Sequence, residues 1–216
     1  MPKTASEIAS IISTLEKLYP EAGTELHHGT AIELLIATIL SAQCTDLRVN
    51  IVTKTLFKKY RKAKDYLAAS QEELENDIRS TGFYKNKARS IRGACEAIIS
   101  DFGGKVPDTM DALLRLPGVG RKTANCILGN FYKKAEGVVV DTHVLRIGRL
   151  IGLTKNTNPE KVETDLMKQV PRDSWIKFSN LIILHGRAVC RARKPACEIC
   201  AIRALCDNGR KAGKVR

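Results

Sequence analysis

"LPGVGRKTAN", residues 116–125, puts a proline and two glycines into its first five positions and then runs through Arg121 and Lys122 into a helix-forming stretch. Glycine reaches positive φ without strain, and it lets another molecule approach the backbone with no Cβ in the way. The turn leads into a helix start, where free backbone N–H groups and the positive end of the helix dipole favour an anion. Phosphate is the anion expected there. An isolated Gly-x-Gly is more simply a helix–helix connection; the whole string, standing in a basic chain, turns the reading toward phosphate. Lysine is an electrostatically poor choice at a helix start, and the position favours the free, nucleophilic amine. A phosphate contact is the plainer role for Lys122.

The wider chain supports a polyanionic partner. Its 216 residues carry 36 Lys/Arg against 23 Asp/Glu, a net charge of +13, and nine Lys/Arg against two Asp/Glu fall within residues 185–216. Clustered charge of this kind suits a nucleic acid, although a solvated basic surface would give the same count. The longest apolar stretch, Ala31 to Ala42, is interrupted by Glu33, Thr38 and Ser41 and reads as a buried helix; it is too short and too polar to span a bilayer. The first residues, MPKTASEIAS, hold no apolar signal core and no Arg-rich presequence, so an intracellular location, cytoplasm or nucleoid, is expected.

Helical spacing recurs almost everywhere. Ile8, Ile11, Ile12, Leu15 and Leu18 form one stripe, opened by a capping box at Thr4 and Glu7 and closed before Pro20. Val49, Val52, Leu56, Phe57 and Tyr60 form another, Ser70 and Glu73 cap a short helix, and Ala88, Ile91, Cys95 and Ile98 carry the pattern to "DFGGKVPD". Asn158-Pro159 opens a helix stopped by Pro171, and Trp175, Phe178, Leu181 and Ile182 build the last long one. Only Val138 to Val140 look strand-like, so the class is all-α. "STGFYKNKARS", residues 80–90, is a weaker version of the 116–124 turn, which suggests two contacts with one long ligand.

Two further stretches carry chemistry. "VVVDTHVLR", residues 138–146, places Asp141 between an apolar run and a new helical pattern. Asp fills an N-cap well, and a capping carboxylate held rigid near a lysine could also stabilise a cationic intermediate. Cys44, Cys95 and Cys126 lie in helical patterns and pack as small hydrophobes. The other four cysteines, Cys190, Cys197, Cys200 and Cys206, have gaps of six, two and five residues. In an intracellular chain that clustering means a metal centre more readily than disulfides. Zinc usually prefers two Cys-x2-Cys pairs and only one is present, so an iron-sulfur cluster with four thiolate ligands fits better, with zinc the alternative. Between the first two ligands "RARKPA" forms a loop pinned at both ends, carrying Arg191, Arg193 and Lys194.

Together these residues resemble the endonuclease III family of helix-hairpin-helix DNA glycosylases. "LPGVGRKTAN" is similar to the family's hairpin with its lysine, "VDTH" to the segment with its aspartate, and the cysteine spacing to its iron-sulfur loop; "LLIATILSAQCTD" and "IILHGRAVC" extend the likeness over nearly the whole chain. The resemblance implies a two-lobed fold with DNA bound between the lobes: a six-helix barrel ending with the hairpin, residues 25–135, and a discontinuous iron-sulfur lobe, residues 1–24 and 136–216. It implies a bifunctional glycosylase and abasic-site lyase, monomeric and without a membrane partner, acting on double-stranded DNA with oxidised pyrimidines or abasic sites. Lys122 would be the nucleophile and Asp141 its partner. Gln43 and Phe83 would enter the duplex, Phe83 standing where relatives often carry leucine. The backbone of Gly118, Val119 and Gly120, with Arg191, Arg193 and Lys194, would hold phosphates.

Two other readings belong beside this one. A monofunctional mismatch glycosylase would generally lack the lysine, and its adenine-removing form would carry a further C-terminal domain, whereas ten residues follow Cys206 here. A non-catalytic DNA-binding or redox module would have no use for the Lys122 and Asp141 pair.

Overall fold

The computed structural model describes residues 3–212. Residues 1–2 and 213–216, the ends of the expected discontinuous domain, lie outside the described residues. The described chain is helical, with no strand; Val138 to Val140 take no regular secondary structure. It divides into two compact units, Thr24–Glu136 and the discontinuous Met1–Gly23 with Gly137–Arg216.

The Thr24–Glu136 unit contains α2 (Ala31–Leu40), α3 (Asp46–Lys59), α4 (Ala63–Ala68), α5 (Gln71–Ile78), α6 (Tyr84–Phe102), α7 (Met110–Leu114) and α8 (Arg121–Asn130), while α1 (Ala5–Leu18) belongs to the other unit. Helix α2 is the centre. Every residue from Leu34 to Leu40 is buried, as a helix apolar on all sides must be, and α3, α6 and α8 pack around it. Thr30 and Glu33 form a reciprocal capping box at its start. A cap contributes about 1 kcal/mol and each fully buried Leu or Ile about 1.5–3 kcal/mol. Burial therefore holds the helix, and the cap sets where it begins.

In the other unit, α1 buries Ile8, Ile11, Ile12 and Leu15 against α11 (Trp175–Ala188). Leu18, the last residue of the expected stripe, is 50% exposed, because the helix ends there and Tyr19 turns the chain away. Helices α9 (Thr142–Ile151), α10 (Pro159–Gln169) and α12 (Asp207–Ala212) complete the unit, with single 3-10 turns at Arg172–Ser174, Cys197–Ile199 and Arg203–Leu205. A Cβ added to Gly186 of α11 would lie 2.5 Å from His143 Nδ1 and 2.8 Å from Ile147 Cδ1, so α9 and α11 meet backbone against side chain. Among the described residues no helix is long and apolar enough to cross a membrane.

Candidate functional site

The hairpin joins α7 to α8. Gly118 has φ +78°, and a Cβ there would fall 2.6 Å from Ser90 Cβ and 2.8 Å from its Oγ. Glycine is required twice over, by conformation and by contact. Gly120 differs from the sequence expectation: its φ is −95°, a value open to any residue. No atom lies within 4 Å of where its Cβ would be, so its missing side chain keeps open the space in front of α8. No side chain caps that helix, and no acidic residue sits in its first turn. Val119 is 7% exposed and its N–H donates to Leu116 O at 3.1 Å. Its amide is thus committed within the turn, which leaves an external anion to its neighbours.

Lys122 is the second residue of α8, and its side chain is exposed. One turn below, burial pushes the Cys126 thiol up from its ordinary value, with Thr38, Lys122 and Asn130 opposing. That thiol stays protonated and is a weak nucleophile.

Three non-glycine residues in the described chain have positive φ: Gln43 at 52°, Phe83 at 49° and Lys133 at 57°. Such backbone is uncommon for a side chain bearing a Cβ, and where it persists it concentrates at functional sites. Gln43 and Phe83 are the two expected duplex-entering residues; both are exposed, Phe83 at 62%. Phe83 is the N-cap of α6. The same helix receives the hairpin, since a Cβ at Gly93 would lie 3.1 Å from Pro117 Cβ and Cγ.

In the discontinuous unit Asp141 caps α9, its Oδ1 accepting from Val144 N–H at 2.8 Å. The residue is half-buried, and the cap leaves its second oxygen unused. The four clustered cysteines line one cavity with Ile147, Leu150 and Ile202. Each sulfur meets a protein donor: Arg146 Nη1 at 3.7 Å from Cys190, Asn208 Nδ2 at 3.9 Å from Cys197, His185 Nε2 at 3.5 Å from Cys200, and Gly209 N–H at 3.4 Å from Cys206. Burial and then Arg146 push the His185 imidazole below its ordinary value, so at neutral pH it carries one N–H. With that proton on Nε2, Nδ1 accepts from Tyr19 Oη at 3.4 Å. Burial pushes the Cys190 and Cys200 thiols up. Among the described residues no three His, Cys, Asp or Glu side chains form a group that could hold a single ion.

The loop between Cys190 and Cys197 is closed by Ala196 N–H donating to Val189 O at 3.1 Å; Arg191, Arg193 and Lys194 are exposed on it. Sequence reasoning missed Arg146, whose Nη2 also donates to Cys190 O at 2.7 Å, along with Asn208; for His185 the sequence favours a structural role, and the structure gives it two hydrogen-bond partners. Also missed was Lys87, 5% exposed, whose Nζ donates to Leu40 O at 2.7 Å and Thr81 O at 2.8 Å. Helical spacing was the signal that could have found it: Lys87 falls four residues before Ile91 on the buried stripe of α6, and Lys85 does not.

The family described as HhH-GPD superfamily base excision DNA repair protein matches residues 36–172, a span that takes in the hairpin and Asp141. Endonuclease III of Synechocystis sp. is 49% identical over 208 residues, covering 96% of this chain and 95% of the relative. Endonuclease III of Bacillus subtilis is 42% identical over 209 residues, with the same two coverages, 96% and 95%. Among solved structures, a trapped endonuclease III–DNA covalent intermediate, an estranged-adenine complex, superposes with a TM-score of 0.92 at 43% identity, covering 98% of this chain and all of that one. A thermostable thymine-DNA glycosylase superposes with a TM-score of 0.86 at 25% identity, covering 95% of this chain and 98% of that one. The chain therefore has the all-α helix-hairpin-helix glycosylase fold and belongs to the endonuclease III family within the HhH-GPD superfamily of base excision DNA repair proteins.

Proposed function

We propose that this bifunctional DNA glycosylase and abasic-site lyase removes oxidised pyrimidines from duplex DNA, with Lys122 as nucleophile and Asp141 as its carboxylate partner. The observation that carries the assignment is the placement of Lys122: an exposed amine on the first turn of an uncapped helix, directly after the glycine hairpin. The likeness to an endonuclease III trapped covalently on DNA supports it. Residues Thr24–Glu136 act as the hairpin domain, and the discontinuous unit supplies Asp141 and the basic loop.

Phosphates are held by the backbone at the start of α8 and by Arg191, Arg193 and Lys194, contacts that position the duplex without reading its sequence. An oxidised pyrimidine stacks and pairs poorly, so rotating it out of the helix costs less than for an intact base; Gln43 and Phe83 support the space it leaves. The Lys122 amine attacks C1′ of the extruded sugar, the C1′–N bond breaks, and the base departs with a proton. Asp141 stabilises the developing positive charge through the oxygen its cap leaves unused, and it assists proton transfer. The C1′–O4′ bond then opens, O4′ takes a proton, and Lys122 is left joined to C1′ as an imine. Loss of the C2′ proton breaks the C3′–O bond and expels the 3′ phosphate, and water then releases the lysine.

Cys190, Cys197, Cys200 and Cys206 fit a [4Fe-4S] cluster. They surround a cavity rather than a point, and each sulfur has a donor of the kind that stabilises bound thiolate. When bound, the cluster would supply iron–thiolate bonds along residues 190–206, adding to the two 3-10 turns and to the bonds from Ala196 N–H to Val189 O and from Arg146 to Cys190 O. That fixes the loop bearing Arg191, Arg193 and Lys194.

Borohydride reduction tests the mechanism. Incubated with duplex carrying one oxidised thymine, the protein is expected to give a covalent adduct that Lys122→Ala abolishes while DNA binding persists. Binding without trapping by the wild-type chain would overturn the lysine mechanism in favour of monofunctional base removal.

A further inference from the structure

The Lys87 ammonium is nearly fully buried, a rare state for lysine unless its charge is partnered. Among the described residues no carboxylate meets it; its partners are two backbone carbonyls. Leu40 is the last residue of α2, and Thr81 the last of the 3-10 turn Arg79–Thr81. Carbonyls at helical ends lack intrahelical donors, and the C-terminal end of α2 adds a favourable dipole. Burial nevertheless pushes the ammonium below the ordinary lysine range, so the buried position is electrostatically costly and calls for a reason.

The two carbonyls supply one. Leu40 leads into the turn Ser41–Cys44, closed by Cys44 N–H donating to Ser41 O at 3.1 Å, and that turn holds Gln43 in its left-handed conformation. Thr81 stands two residues before Phe83, the other left-handed residue. The Lys87 backbone N–H donates to Phe83 O at 3.1 Å, so one residue grips the chain on both sides of Phe83 and reaches 47 residues back to the Gln43 turn.

We propose that Lys87 is a positioning residue for base extrusion, tying the loops that carry Gln43 and Phe83 into one rigid wedge. The proposal rests on the reading of those two residues as the groups that enter the duplex.

The test compares wild type, Lys87→Met, Phe83→Ala and the double variant on duplex with one oxidised thymine. A fluorescent base analogue beside the lesion reports extrusion, and single-turnover kinetics report base removal. Lys87→Met is expected to slow both by about ten-fold or more, in line with what small misplacements cost a reaction. DNA affinity should change little, since hairpin and basic loop are untouched. On a pre-formed abasic site opposite a gap, where no base has to be unpaired or unstacked, the variant should trap with borohydride at close to the wild-type rate. The double variant should lose no more than the worse single variant. Unchanged extrusion by Lys87→Met, equal losses on both substrates, or fully additive losses would overturn the proposal. If Phe83→Ala extrudes normally, the wedge reading falls and takes the proposal with it; if Phe83→Ala is slow and Lys87→Met normal, only the role of Lys87 is lost. Melting curves establish that each variant is folded at the assay temperature. Should Lys87→Met not fold, Lys87→Gln, which keeps a donor for one carbonyl only, carries the same comparison, and unchanged extrusion again overturns it.

Discussion

Replacing Gly118 by alanine separates two demands that the hairpin makes on one position. At φ +78° an L-residue carries a left-handed penalty of about 1–2 kcal/mol. The new Cβ also lands 2.6 Å from Ser90 Cβ, inside any van der Waals contact, and overpacking of this kind adds about 1–3 kcal/mol. The neighbour is a short side chain fixed to the middle of α6, so it cannot swing away as the end of a lysine would. Gly118→Ala should therefore destabilise the protein by about 2–5 kcal/mol, measured from the midpoint and slope of urea unfolding. Adding Ser90→Gly removes the opposing atoms but leaves φ unchanged. The double variant should recover the steric part, less the roughly 1 kcal/mol that glycine costs inside a helix. Relative to Ser90→Gly alone, the alanine should then cost only about 1–2 kcal/mol. A Gly118→Ala protein within about 0.5 kcal/mol of wild type would refute the reasoning, and a penalty independent of residue 90 would refute its steric half.

Asp141→Asn keeps an N-cap acceptor but removes the carboxylate, so urea unfolding should move by less than about 1 kcal/mol while single-turnover base removal falls by about 10²-fold or more; equal activity would confine Asp141 to capping. Substituting Arg191, Arg193 or Lys194 by alanine should weaken DNA binding alike for every sequence and lower the slope of log affinity against log salt by about 0.9 per lost phosphate contact, and an unchanged slope in titrations would remove that residue from the interface.

The parts of this molecule legible in its sequence are those decided within one turn of chain. The Thr4 and Glu7 box, the Asn158-Pro159 start and the Asp141 cap all form where the local pattern places them, because the partner in each case lies three residues away. Helix α2 was legible for a different reason: an apolar run of that length has no stable place except a core. What stayed hidden was either conformational detail or long-range contact. Gly118 and Gly120 are identical letters in one motif, yet only the first has positive φ; the second is needed for empty space, which no local rule encodes. Helix α4 lacks a side-chain N-cap hydrogen bond and spans six residues, too few to show a period. Arg146 reaches Cys190 across 44 residues and Lys87 reaches Leu40 across 47. Those pairings exist only once the helices have packed.

Helix α6 shows what the packing adds. Phe83 stands at its N-cap, Lys87 lies in its first turn, Ser90 faces Gly118, and Gly93 faces Pro117. With a rise of about 1.5 Å per residue, the exposed phenyl group and the hairpin contacts are mounted about 10–15 Å apart along a single helix axis. A flexible connection would let the aromatic wedge and the phosphate-binding turn move independently, and much of the binding energy gathered at the backbone would then be unavailable to distort the duplex. In the function proposed above, a shared helix couples them: phosphates seated at the start of α8 would hold the hairpin, the hairpin holds α6, and α6 would hold the wedge. The arrangement suits a protein that must test base after base without reading sequence. Backbone contacts are the same at every site, so the resistance of each base step to the wedge is left as the variable quantity, and a damaged step is the one that yields most easily.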